Sequence, residues 1–250
     1  MNPPELRKLL QQLADFDTAL LANTIGYVDP TPPEKYYMGG SIHSVTPTLG
    51  PTVGVAVTCE MDSSSPRNKP DIAGYWQQLQ QMQDAGVPTV WVVKCVGSRP
   101  DHECVIGDGM AKTLRSVGCV GLVTDGGVRD LSGLLSTSFA AYARGVTIHH
   151  TALRVRRVNR PVKVGGITIS PGDIVHANAE GVIKIPRACL PVLAGRAIQM
   201  QAFEHDAHMV LRRTDLSLEA KRASVGSLVA KYGFADCVTP VRAKPRKSRR

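Results

Sequence analysis

Three apolar runs constrain the fold of this chain more than anything else in it. Residues 53–59, 87–96 and 120–124 are apolar at nearly every position rather than at alternate ones. That pattern belongs to strands covered on both faces, as in a mainly parallel sheet. Between the runs the spacing predicts a helix over about 71–84, ended by Gly86, and another over about 109–117. Strands alternating with helices predict an α/β fold.

The flanks are read in the same way. Leu6, Leu9, Leu10, Leu13, Phe16 and Leu20 recur at helical spacing after Pro3-Pro4, which predicts one helix over 4–22. Residues 23–50 are loop-rich, and 61–70 form a polar loop. A helix is expected over 131–142 and a strand over 146–150. From Arg154 the pattern changes to hairpins, with turns at Gly165-Gly166, Pro171-Gly172-Asp173 and Ala179-Glu180-Gly181. Residues 187–232 read as helical. The expectation is one large domain over 1–240 with N- and C-terminal helices.

The net charge of +9 resembles a nucleic-acid signal, but six of the basic residues fall in the last ten positions, and without them it is +3. A run of like charges repels itself and stays unfolded, so 241–250 is expected to be a disordered basic tail. With few aromatic residues as well, the composition argues against nucleic acid as the partner. No apolar run approaches the roughly 20 residues of a membrane span, and the N-terminus lacks a signal-peptide pattern. Cysteines 59, 95, 104, 119, 189 and 237 are scattered without a CxxC pair, which points to reduced, buried thiols in a cytoplasmic protein.

The chemistry gathers between two glycine turns. Gly107-Asp108-Gly109-Met110 opens a helix, and Asp125-Gly126-Gly127-Val128-Arg129-Asp130 follows a strand. The first amides of a helix have no internal partner and attract anions. Arginine offers a planar fork for a carboxylate. Asp130 suits a hard cation that keeps most of its waters, and Asp108 could hold one of those waters and act as a base through it. Together these parts suggest enolate chemistry on a metal-bound 2-oxo acid, either retro-aldol cleavage or β-decarboxylation.

Asp108, twenty intervening residues and then Arg129-Asp130 form the D-x20-R-D signature, and the chain here resembles the RraA-like family. That family holds class II 4-hydroxy-4-methyl-2-oxoglutarate aldolases and related regulators of ribonuclease E activity. Residues 118–130, 142–147, 164–166, 171–177 and 181–186 are similar to its successive blocks. The resemblance implies an RraA-like α/β/α sandwich related to the swivelling β/β/α domain. It implies a homotrimer or a dimer of trimers with sites near subunit interfaces. It implies a pyruvate moiety held by the amides of Gly107, Asp108, Gly109 and Met110 and by Arg129, with Asp108 and Arg129 catalytic. It implies Mg²⁺ or Mn²⁺ on Asp130, with Asp108 acting through a bound water. Regulator-type members typically lack the acid after the arginine; this chain keeps Asp130.

The expected activity is therefore a lyase releasing pyruvate from 4-hydroxy-2-oxo acids, with oxaloacetate decarboxylation beside it. A non-catalytic regulatory protein on the same fold is the alternative. Three departures from the family pattern bear on this choice. Lys94-Cys95-Val96-Gly97 replaces an Asp-Gly-Gly run, Asn178 replaces a common acid beside Glu180, and Glu204 is the best candidate for the glutamate that a neighbouring subunit supplies. Arg67 and Asn68 are candidates for the distal part of a substrate. His149-His150, and His205 with His208, lack further metal ligands nearby in sequence, and His176 reads as a packing residue.

Overall fold

The computed structural model describes residues 1–67, 69–149 and 152–236. Asn68, His150, Cys237 and the basic tail, each singled out above, lie outside the described residues.

The chain opens with α1 (Pro3–Leu13), held by a reciprocal cap in which Glu5 N–H donates to Asn2 Oδ1 at 3.0 Å and Asn2 N–H to Glu5 Oε2 at 3.1 Å. α2 (Thr18–Ile25) follows, so the helix expected over 4–22 is two helices. The break has a partner in the sheet. The His176 ring lies between them, its Nε2 3.0 Å from the Leu13 carbonyl oxygen and its Nδ1 2.9 Å from Thr18 Oγ1. Apolar spacing runs unbroken across the corner because both helices pack into one cluster, with Leu10, Leu13, Phe16, Leu20 and Leu21 all buried.

β1 (His43–Ser44), β2 (Thr52–Asp62), α3 (Ala73–Ala85) and β3 (Thr89–Cys95) come next. Then follow β4 (Cys104–Ile106), α4 (Asp108–Ser116), β5 (Cys119–Thr124), β6 (Gly127–Val128), α5 (Leu131–Ser136), β7 (Ala140–Ala143) and β8 (Gly145–Val146). The C-terminal half holds β9 (Arg154–Arg156), β10 (Val162–Val164), β11 (Ile167–Ile169), β12 (Ile174–Asn178), β13 (Gly181–Ile185), α6 (Leu190–Leu211) and α7 (Leu218–Lys231).

Among the described residues the main sheet runs β1-β7-β5-β3-β2-β12-β13, with β9 paired to β2. Its centre, β2-β3-β5-β7, is parallel, and β12 and β13 continue it antiparallel. The apolar runs thus occupy the doubly covered centre. Trp91, Val93 and Leu122 pack with residues of α3, α4 and α5, while Val90, Val92 and Val123 pack with the β10–β11 hairpin. A small parallel sheet, β4-β6-β8, stands beside the main one. Its strands lead directly into Gly107, Arg129 and Thr147.

Three further expectations change. The helix expected over 131–142 ends at Ser136, and Ala140–Ala143 is a buried strand. Alanines favour helix locally, but these fill the position beside β5, where small side chains fit. The strand expected over 146–150 covers only Gly145–Val146 among the described residues. Residues 187–232 hold two helices; Ser217 starts the second by accepting Ala220 N–H at 3.1 Å. The five described cysteines are free and buried, as expected. No described helix is long and apolar enough to cross a membrane.

Candidate active site

The sequence places Asp108 and Arg129-Asp130 at the ends of β4 and β6, and the parallel pairing of these strands brings them together. Asp108 N–H donates to Asp130 Oδ2 at 3.3 Å, and Arg129 Nε lies 3.5 Å from the same oxygen. The Asp130 carboxylate therefore sits at the N-terminus of α4, where the unpaired amides and the helix dipole favour negative charge.

Two glycines make this approach possible. A Cβ on Gly107 would stand 2.4 Å from Asp130 Oδ2, and one on Gly133 would stand 2.3 Å from Asp108 Cβ. Asp130 itself has φ 57°, a left-handed conformation uncommon for a residue with a side chain. The backbone around it holds it there: Arg129 N–H donates to the Ile106 carbonyl and Leu134 N–H to the Asp130 carbonyl, both at 3.0 Å. Strained backbone of this kind costs on the order of 1–3 kcal/mol and collects at ligand clamps.

The Arg129 fork also reaches the neighbouring strand exit, Nη1 donating to the Ile148 carbonyl at 3.5 Å. Asp108 turns away from Arg129 and accepts from Lys112 Nζ at 2.7 Å. That hydrogen bond, with the lysine charge behind it, holds the Asp108 carboxyl below the usual carboxylate range. Lys112 was missed in the sequence. The signal was there, as an acid four residues before a base on one helix face.

The donor set can be tested against a divalent cation. Asp130 is half exposed and carries one oxygen already engaged by Asp108 N–H. No group of three or more His, Cys, Asp or Glu gathers among the described residues. This fits a hard cation bound through one carboxylate and its own waters, and it does not fit a fully protein-caged ion.

The other candidates disperse. Lys94 Nζ pairs with Asp125 Oδ2, and Asp125 Oδ1 accepts Cys95 N–H at 2.9 Å. The lysine that replaces the family's acid thus faces an acid of the next strand. Asn178 caps the β12–β13 turn by accepting Glu180 N–H at 2.9 Å. It lies by the start of β2, at the opposite end of the sheet from Asp130. Glu204 lines a separate cavity between α2 and α6, with Asn23, Tyr27, Tyr36 and Phe203. Arg67 lines another, with Asp62, Asp71 and Arg154. His205 and His208 are exposed on α6. His176 is buried with both ring nitrogens engaged, and burial pushes it down to about 4, so it is a packing residue.

Fold and site together define an α/β protein with an acid held at a helix start beside an arginine. The family model described as "RraA-like: Aldolase/RraA" matches residues 32–184, and the chain belongs to this family. It is 34% identical over 113 residues to a Halalkalibacterium halodurans protein named "Putative 4-hydroxy-4-methyl-2-oxoglutarate aldolase", a match covering 44% of this chain and 51% of that protein. It is 30% identical over 105 residues to Protein DlpA of Legionella pneumophila, covering 41% of this chain and 17% of that one. The match thus spans about half of the first relative and a smaller share of the second.

Solved structures share the fold. An uncharacterised protein from Pseudomonas syringae aligns with a TM-score of 0.63 at 23% identity, covering 86% of this chain and 96% of the other. Streptomyces coelicolor RraAS2, described as "an unusual member of the RNase ES inhibitor RraA protein family", aligns with a TM-score of 0.63 at 21% identity, covering 81% and 96%.

Proposed function

We propose that this chain is a lyase that cleaves a 4-hydroxy-2-oxo acid to pyruvate and a second carbonyl product, with Mg²⁺ or Mn²⁺ at Asp130 and decarboxylation of oxaloacetate as a related activity. The observation that carries the proposal is the Asp130 carboxylate beside Arg129 at the start of α4. When bound, the cation polarises the 2-oxo carbonyl.

Arg129 holds the substrate carboxylate through its guanidinium, and the amides at the start of α4, from Gly107 to Met110, take a second oxygen. These groups bind the pyruvate end in the geometry in which negative charge builds up on cleavage. Asp108 takes the proton of the C4 hydroxyl through a water. The C3–C4 bond breaks, its electron pair stays on C3 as the enolate, and C4 leaves as a carbonyl. A proton delivered to C3 completes pyruvate. Lys112 keeps Asp108 ionised and ready to accept.

The regulatory alternative rests on the Lys94 segment and on the basic tail over 241–250, which lies outside the described residues. Lys94 is paired internally with Asp125, which leaves less free charge for a partner. We propose a homo-oligomer, since Val192, Ile198, Met209 and Leu218 leave apolar surface exposed on the two C-terminal helices. A neighbour's Glu204 is then the natural assisting acid. The test is pyruvate release by purified protein with Mg²⁺ and with chelator. Activity abolished by chelator and by Asp130→Ala supports the proposal. Full activity in the Asp130→Ala variant would remove it.

A further inference from the structure

Beside the Arg129–Asp130 corner a groove of about 470 Å³ opens between the turn after β2, the segment before β4 and the exit of β8. Ser63, Ser64, Arg99, His102, Thr147 and His149 line it. Ile148 belongs to both places: it lines the groove, and its carbonyl accepts from Arg129. We propose that this groove receives a carboxylate on the part of the substrate that departs as the second carbonyl product, and that Arg99 is its specificity-determining residue. The proposal rests on the 2-oxo acid reading above.

Charge is the first argument. Arg99 faces one acid in the lining, Asp101, and that acid turns to His102 Nδ1 at 3.1 Å. Among the described residues Arg99 enters no ion pair, which leaves a planar two-pronged donor facing an open groove.

Construction is the second. Arg99 N–H donates to Ser64 Oγ at 2.9 Å, and Ser64 Oγ donates in turn to Glu103 Oε1 at 2.7 Å. Glu103 is fully buried, and the same oxygen takes Ser63 N–H at 3.0 Å. Ser98 ties the segment down further, its Oγ donating to the Ser64 carbonyl at 3.0 Å. Gly97 leaves no room for a side chain, since a Cβ would lie 1.9 Å from Glu103 Oε1 and 2.3 Å from Ser64 Oγ. A buried acid thus fixes the backbone from which Arg99 projects. Such fixing lowers the ordering cost of gripping a ligand. Val146 and Ile148 supply an apolar stretch for the carbon skeleton between the two anionic ends.

The test uses two 2-oxo acids of equal length that are not cleaved, 2-oxoglutarate with a distal carboxylate and 2-oxopentanoate with a methyl there. Calorimetry in Mg²⁺ should give the native protein at least about tenfold tighter binding of 2-oxoglutarate, the scale of one charge-assisted hydrogen-bonded pair. Arg99→Ala should bring the two within about twofold, with 2-oxopentanoate unchanged and Arg99→Lys intermediate. A thermal melt checks that each variant folds. Equal affinities in the native protein, or a preference that survives Arg99→Ala, would overturn the subsite alone. Failure of both acids and of pyruvate to bind would overturn the 2-oxo acid reading beneath it.

Discussion

At the rim where β3, β5 and β7 end, the Arg129 and Asp130 side chains are half exposed, and Asp130 sits at φ 57°. At the other end of the same sheet His176, Thr18 and Asn178 are buried, His176 bonding to Thr18 and the Leu13 carbonyl and Asn178 donating to Asp17. Both ends put polar groups beside the start of a helix. One end satisfies them with protein and the other leaves capacity over. Polar groups that fold back on themselves hold a structure together, whereas polar groups held apart under strain are available to a ligand.

The sharpest way to break this contrast is to empty the rim. Asp130→Ala should cut pyruvate release by roughly a thousandfold, about 4 kcal/mol of transition-state stabilisation, while the melting temperature falls only slightly, since alanine keeps the Cβ that disfavours φ 57° and the carboxylate at the start of α4 is lost. Steady-state kinetics and a thermal melt on the same sample check it. A variant that loses both activity and fold would place Asp130 in the structural class with His176.

The second effect belongs to the opposite end. The folded His176 is lowered to about 4 by burial, which outweighs its hydrogen bonds to the Leu13 and Phe16 backbone, against an ordinary value of 6.5. Between these pH values the unfolded chain binds a proton that the folded chain refuses. Stability is therefore full above about pH 6.5 and falls as pH drops toward 4, by up to about 3 kcal/mol. Urea midpoints across that window should fall less steeply for His176→Gln than for the native chain. Identical slopes would show that His176 does not carry the acid lability.

Gly107→Ala should have a smaller effect. The backbone there is extended and tolerates alanine, but the new methyl collides with Asp130 Oδ2. We expect a ten- to thirtyfold loss of activity, about 1.4–2 kcal/mol, read as a fall in kcat with less change in stability. Lys112→Met should be smallest. Asp108 loses the partner that lowers it, so the acidic limb of the pH–rate profile should move to higher pH, while stability changes by less than about 0.5 kcal/mol. An unmoved limb would remove Asp108 from the proton path.

Much of the rim was legible. The D-x20-R-D spacing works because one strand, one helix and one turn each have fixed lengths, and the parallel pairing of β4 with β6 closes the loop. Local signals also found Gly86, the left-handed cap of α3, and the turn at Gly165-Gly166. What stayed hidden was non-local. Nothing near Glu103 announces that it will be buried beneath Ser63 and Ser64, forty residues away. Nothing near Leu13 announces His176, so one helix was read where there are two. Ala140–Ala143 has helical chemistry and becomes a strand because its neighbour β5 offers a place for small side chains.

The sequence by itself determined the parallel α/β core, because apolar periodicity is written in consecutive residues, and the family, through its resemblance in the D-x20-R-D signature and the blocks around it. Only the tertiary structure decided which polar groups were used up and which were left open. That turned Asp108 toward Lys112, Lys94 toward Asp125, and Arg99 toward an open groove. Hydrogen-bond partners come from across the sheet, and burial is a property of the packed molecule rather than of any one segment.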